Sequence, residues 1–197
     1  FRFNAEARAQ ARADLGLVGN QFAIGHVGRF TAQKNHAFLI DVFAEVAKRR
    51  DDAVLLLVGT GEAGASVKAL VGERGLTDRV KFLGQRSDVN RLYQAFDAFV
   101  LPSLYEGLGL VGVEAQVSGL PCLLSDAITR EVDVTGECKF LSIDSPVVWA
   151  DEICSLSKKS DEGRDSTSPG SFVHYDIDQQ ADWLLRRYLQ LINGDRN

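Results

Sequence analysis

Methionine is absent from this 197-residue chain, even at position 1, and the expectation from that absence is a fragment of a larger protein. Cysteine is sparse. Cys122, Cys138 and Cys154 are odd in number, stand 16 positions apart each time, and have no C-x-x-C pairing or adjacent histidine. That excludes a disulfide framework or zinc cluster and leaves core or neutral thiols. His26, His36 and His174 are isolated, and no Ser–His–Asp set emerges, so structural roles are expected for them. No apolar run approaches the roughly 20 residues that span a bilayer. The opening stretch from Phe1 to Leu17 is charged and amphipathic, without a signal-peptide core. Neither membrane insertion nor export is expected, which places the chain in the cytoplasm. An excess of positive charge is also missing: 22 basic against 27 acidic residues give −5, which offers no electrostatic case for nucleic acid.

What is present suits a globular domain, since 45% of the residues are hydrophobic. A helix is expected over Asn4 to Leu15, ended by Gly16 to Gly19. Strands at Phe22–Val27, Ala53–Val58, Val80–Leu83, Ala98–Leu101 and Pro121–Leu124 then alternate with helices at His36–Arg50, within Ala63–Arg74, near Val89–Phe96 and from about Val111. Continuous apolar strands alternating with helices imply a parallel sheet covered on both faces, a doubly wound (Rossmann-like) α/β domain over residues 1–197. Residues 155–171 turn to Ser, Lys, Asp and Gly and are expected to form a flexible loop, and 178–192 a last helix bearing Trp183, Leu184 and Tyr188.

Ligands in such sheets bind beyond the carboxyl ends of the strands. Gly28, Gly59 to Gly61, Gly84 and Gly107 to Gly109 all follow an expected strand, so they converge on one edge. The richest segment runs from Pro102 to Ala115 and sets Glu106 and Glu114 around a glycine-rich turn at the start of a helix. Gly107 and Gly109 let backbone approach a ligand, and the helix start aims free N–H groups and its positive dipole end at an anion. Arg29 and Lys34 flank the turn after the first strand, and neither sits well to serve the helix dipole. Gly59 to Gly64 matches G-x-G-x-x-G, which invites a dinucleotide reading, but it follows the second strand of its unit and the acidic Asp78 precedes the next strand. A tight turn or contact with a nucleotide fits it better.

The order of these motifs resembles the retaining glycosyltransferases built from two Rossmann-like halves (the GT-B fold, family 4), whose signature is E-x7-E. Glu106 and Glu114 match that spacing and are followed by Ala115, Gly119-Leu120-Pro121 and Ser125-Asp126. Gly28-Arg29-Phe30 and Gln33-Lys34-Asn35-His36 resemble the family's phosphate-contacting segment, and Val80 to Gly84 its base-side strand and loop. His174-Tyr175-Asp176-Ile177 is similar to a "GYDI" segment of members that build capsular and exopolysaccharides.

The resemblance implies the C-terminal, donor-binding half of such an enzyme, with an N-terminal acceptor half missing and the last helix packing back toward it. Its substrate would be a nucleotide diphosphate sugar of UDP or GDP type, and its acceptor a glycan or lipid-linked sugar at the inner face of the plasma membrane. No metal or other cofactor is implied. Arg29 and Lys34 would take the diphosphate, in place of a metal ion. Glu106 would bond donor sugar hydroxyls near the reacting centre, Glu114 would hold the ribose, and Gly28, Gly84, Gly107, Leu108 and Gly109 would touch the donor through backbone. Gly109 stands where many relatives have proline or phenylalanine, which leaves the sugar open. Two other classes share the fold: an NAD-dependent oxidoreductase using Gly59 to Gly64, and a noncatalytic nucleotide-sugar-binding subunit.

Overall fold

Strands apolar at nearly every position belong in a sheet buried on both faces. In the computed structural model, which describes residues 1–159, 163–164, 175 and 177–194, such strands form a six-stranded parallel sheet. They are β1 (Phe22–Val27), β2 (Ala53–Val58), β3 (Val80–Gly84), β4 (Ala98–Leu101), β5 (Cys122–Ser125) and β6 (Lys139–Leu141), in the order β3-β2-β1-β4-β5-β6. The helices are α1 (Ala5–Asp14), α2 (His36–Ala47), α3 (Gly64–Glu73), α4 (Val89–Ala95), α5 (Leu110–Val117), α6 (Pro146–Ser155) and α7 (Ile177–Gly194). The doubly wound fold expected from the alternation is the one observed. Strand order reverses between β1 and β4, and this switch point is where the fold leaves a crevice.

Successive strand residues face opposite sides. Ile24, Leu55, Leu57, Val100 and Leu123 pack with α2, α3 and α6, whereas Ala23, Val54, Leu56, Phe99 and Leu124 pack with α1, α4 and α5. Asn4 caps α1, its side chain accepting from the Ala7 amide at 2.7 Å. Arg8 and Arg12 of α1 both bind the buried carboxylate of Asp97, which also accepts from the Ala23 amide at 2.8 Å and so fixes the amino ends of β1 and β4.

β6 and α6 extend the sheet beyond the strands expected from sequence. β6 has only three residues, too few to show a period, but α6 carried a legible signal: Pro146 at its start and Trp149, Ala150 and Ile153 buried at helical spacing. Within the expected surface loop, Arg164 is buried. Its guanidinium donates to the carbonyls of Tyr93, Gln94, Phe96 and Ser118, so the chain is anchored there; most other residues of 160–171 lie outside the described ones. The packing divides the chain into two compact units, Phe1–Thr167 and Ser168–Asn197. In the second, α7 exceeds the expected helix at both ends and carries Ile177, Ala181, Leu184, Leu185 and Tyr188 at three- and four-residue spacing. Of the "GYDI"-like segment, His174 and Asp176 lie outside the described residues. No helix among the described residues is long and apolar enough to cross a membrane.

Candidate nucleotide-sugar site

At the switch point the loops after β1 and β4 are bound to each other. The Leu104 amide donates to the Gln33 carbonyl at 2.8 Å, and Gln33 Nε2 donates to the Tyr105 carbonyl at 2.9 Å. Lys34 Nζ lies 2.6 Å from Glu106 Oε1, with both side chains largely removed from solvent, and Gln33 Nε2 reaches Glu106 Oε2 at 3.4 Å. The structure thus brings together Lys34 and Glu106. The Lys34 stem crosses directly over Gly28, where a β-carbon would meet its Cδ and Cε at 3.1 Å.

Below this loop lies a stack of rings. The His36 ring stacks on Phe30 with centroids 4.1 Å apart and meets His26 edge-on at 4.7 Å. His26 Nδ1 bonds the Val100 carbonyl at 2.9 Å, which fixes the proton on Nδ1 and ties β1 to β4. Burial pushes the His26 pKa down to about 4, against the Val100 bond, and burial with the neighbouring His26 pushes His36 down to about 3. Both rings are neutral at physiological pH. His26 Nε2, both His36 ring nitrogens and Ser103 Oγ are buried without a hydrogen-bond partner.

Arg29 is exposed at the mouth of a cleft of about 400 Å³ that it lines together with Gly28, Gly59, Thr60, Gln85 and Arg86. Gly84, in a left-handed conformation, closes β3 beside it and accepts from the Gly59 amide at 2.8 Å. The G-x-G-x-x-G segment has a packing role. A β-carbon on Gly59 or Gly61 would strike the Gly28 carbonyl oxygen at 2.0 Å or that of Phe30 at 2.5 Å, whereas Gly64 faces open space. The first two glycines let the β1 and β2 loops touch. The third lacks the close helix–strand contact that a dinucleotide fingerprint requires.

Gly109, at φ 76°, precedes α5 without a side-chain cap, so the first turn of α5 has no N-cap side chain taking up its N–H groups. A β-carbon on Gly107 would meet nothing within 4 Å. Glu114 turns toward α4, where Tyr93 donates its hydroxyl to Glu114 Oε2 at 2.9 Å. Burial raises the Glu114 pKa against the opposing effect of that bond, and raises Tyr93 well above its usual value. Leu108 is half-buried against the α4–α5 side of the core. Neither Lys34, Glu106 nor Glu114 lines the Arg29 cleft.

A larger depression of about 670 Å³ lies among α2, α3 and α6, away from these loops. Its Asp41 and Glu45 are paired with Arg74 and Lys48, and Arg79 is spent on backbone carbonyls, so it offers no set of converging groups. Among the described residues no group of His, Cys, Asp and Glu could hold a metal ion.

Residues 21–159 match the family of Glycosyl transferases group 1. The chain belongs to that family. It is 36% identical over 200 residues to EpsF of Bacillus subtilis, named as a glycosyltransferase, covering all of this chain and 52% of that one. It is also 40% identical over 119 residues to an Escherichia coli UDP-Gal:alpha-D-GlcNAc-diphosphoundecaprenol alpha-1,3-galactosyltransferase, covering 57% of this chain and 30% of that one. This family member therefore spans about half or less of these relatives. Its fold matches Anabaena HepE, solved with UDP-glucose, with a TM-score of 0.78 at 24% identity, over 95% of this chain and 54% of that one. It also matches the C-terminal domain of a group 1 glycosyl transferase from Francisella tularensis, with a TM-score of 0.71 at 23% identity, over 89% of this chain and 96% of that domain.

Proposed function

We propose that this chain is the donor-binding half of a retaining, E-x7-E-type (family 4) glycosyltransferase. It takes a sugar from a UDP- or GDP-sugar, and the whole enzyme passes it to a glycan or lipid-linked acceptor in surface polysaccharide synthesis. The observation that carries this reading is the Lys34–Glu106 pair at the switch point, formed between the loops after β1 and β4. Family membership and the polysaccharide-related names of the relatives support it.

Transfer passes through an oxocarbenium-like state while charge grows on the departing diphosphate, so the site must stabilise an anion and hold the sugar. Arg29, exposed at the cleft, is suited to fork onto phosphate oxygens. Lys34 adds a second positive charge beside the Glu106 carboxylate, and with Arg29 replaces a metal ion. The start of α5, with backbone N–H groups near Gly107, Leu108 and Gly109, adds a dipole directed at the leaving group. Glu106 receives sugar hydroxyls, and Glu114, held by Tyr93, receives the ribose hydroxyls. Gly28 and Gly84 border the nucleotide through their backbone. The acceptor half supplies the other wall, at the cytoplasmic face of the membrane, so this chain alone binds donor weakly and transfers nothing.

Calorimetric titration with UDP, GDP, UDP-sugars and NAD, repeated with Arg29→Ala and Glu114→Ala, tests the reading. Nucleoside-diphosphate binding lost in both variants is the expected result. Binding of NAD alone, indifferent to either substitution, overturns it.

A further inference from the structure

Gln33 lies on the β1 loop against the β4 loop and has so far no role beyond holding them together. Its main-chain carbonyl accepts from the Leu104 amide at 2.8 Å, and its side-chain Nε2 donates to the Tyr105 carbonyl at 2.9 Å and to Glu106 Oε2 at 3.4 Å. The other Glu106 oxygen is held by the next residue, Lys34. A carbonyl and an ionised carboxylate only accept, so the chemistry of these partners fixes the amide with its NH₂ group toward the β4 loop. Both oxygens of Glu106 are therefore oriented by donors from consecutive residues of the β1 loop, while the preceding carbonyl is pinned as well. Precise placement matters where a carboxylate reads hydroxyl directions, since displacement by about 1 Å can cost a hundredfold in rate.

We propose that Gln33 is a positioning residue for sugar recognition: its amide, beside the Lys34 ammonium, sets the direction of the Glu106 carboxylate. This rests on the donor-site reading given under Proposed function. Gln33 would act without touching the nucleotide, so its loss should separate recognition of the sugar from recognition of the diphosphate. A glutamate at the same position is nearly isosteric but sets negative charge against both acceptors.

The test is calorimetric titration of this chain and its Gln33→Ala and Gln33→Glu variants with UDP, GDP, UDP-glucose, UDP-galactose, UDP-N-acetylglucosamine and GDP-mannose. Affinity for the bare diphosphate should stay within about twofold, while affinity for the nucleotide sugar that the unmodified chain prefers falls about tenfold with alanine and further with glutamate. In a Glu106→Ala background, Gln33→Ala should bring no further loss, because the two act as one unit. Equal losses for diphosphate and nucleotide sugar, or additive losses in the double variant, overturn the proposal and leave Gln33 a packing residue. Should Gln33→Ala fail to fold, Gln33→Asn shortens the amide by one methylene and is read in the same way. If the unmodified chain binds none of these nucleotides, the donor-site reading falls and this inference with it. Binding that ignores Gln33 leaves the donor site standing and removes only the positioning role.

Discussion

Lys34 and Glu106 stand 72 positions apart in sequence, yet their charged atoms meet at 2.6 Å with side-chain exposures of 15% and 8%. At that depth neither charge can fall back on water, so removing one strands the other. Lys34→Met is expected to lower the unfolding free energy by about 3 kcal/mol, and the double variant Lys34→Met/Glu106→Leu to recover part of it. Urea denaturation of the two single variants and the double, treated as a cycle, measures the coupling. Additive costs would show that the pair is not an energetic unit.

Two glycines of one motif should behave oppositely. Gly61→Ala places a β-carbon 2.5 Å from the Phe30 carbonyl oxygen and must push the β1 loop off β2, at a cost of about 2 kcal/mol or more. Gly64 begins α3 with open space around it, so Gly64→Ala should be neutral or stabilise by up to about 1 kcal/mol. Thermal melting of the two variants separates a packing role for this motif from a cofactor role, in which both glycines would be sensitive.

The ring stack predicts an acid dependence. His26 and His36 are held neutral, at about 4 and 3, whereas in the unfolded chain they take protons near 6.5. Between these limits the unfolded state binds more protons. Stability is therefore full above about pH 6.5 and falls as pH drops, by about 1.4 kcal/mol per pH unit for each ring. His36→Phe keeps the stack on Phe30 and removes one of the two protons. Urea midpoints from pH 7 to 4.5 should fall less steeply in this variant, and parallel curves would contradict the assignment.

Asp97 has a purely architectural role in this scheme. Asp97→Ala removes the carboxylate partner of Arg8 and Arg12, which keep their backbone carbonyls, and frees the Ala23 amide, and should cost about 3 kcal/mol. The variant should retain nucleotide binding at temperatures where it is still folded. Chemical denaturation and titration at 10 °C check the two halves of that statement.

The sheet was legible because β2 and β4 are apolar without interruption and β1 is broken only by Gly25 and His26, and the site edge because its glycines follow strand ends. The pairing of Lys34 with Glu106 was not legible, since it depends on β1 and β4 lying side by side, which strand order decides. Tyr93 holding Glu114 escaped for the same reason: a tyrosine beside Leu92 on the buried side of a short helix reads as core, and only the packing of α4 beside α5 shows its hydroxyl at work. Buried Arg164 sits in a stretch whose composition is that of a solvated loop. Its four carbonyl partners come from the ends of α4 and α5 and leave no mark in the local sequence.

Adjacent placement of β1 and β4 has a consequence for the nascent protein. His26 and Val100, bonded across that junction, are 74 positions apart, and β2 and β3 are synthesised between them. A ribosome that has finished β3 has already delivered Arg29, Lys34 and most of the cleft lining, but no Glu106. Arg29 and Lys34 are thus in place early, whereas Glu106, the start of α5 and Glu114 arrive only when β4 inserts against β1. Nucleotide binding itself would then report on the closing of the sheet, and pulse-labelled chains released at increasing lengths should acquire it only once β4 and α5 are included.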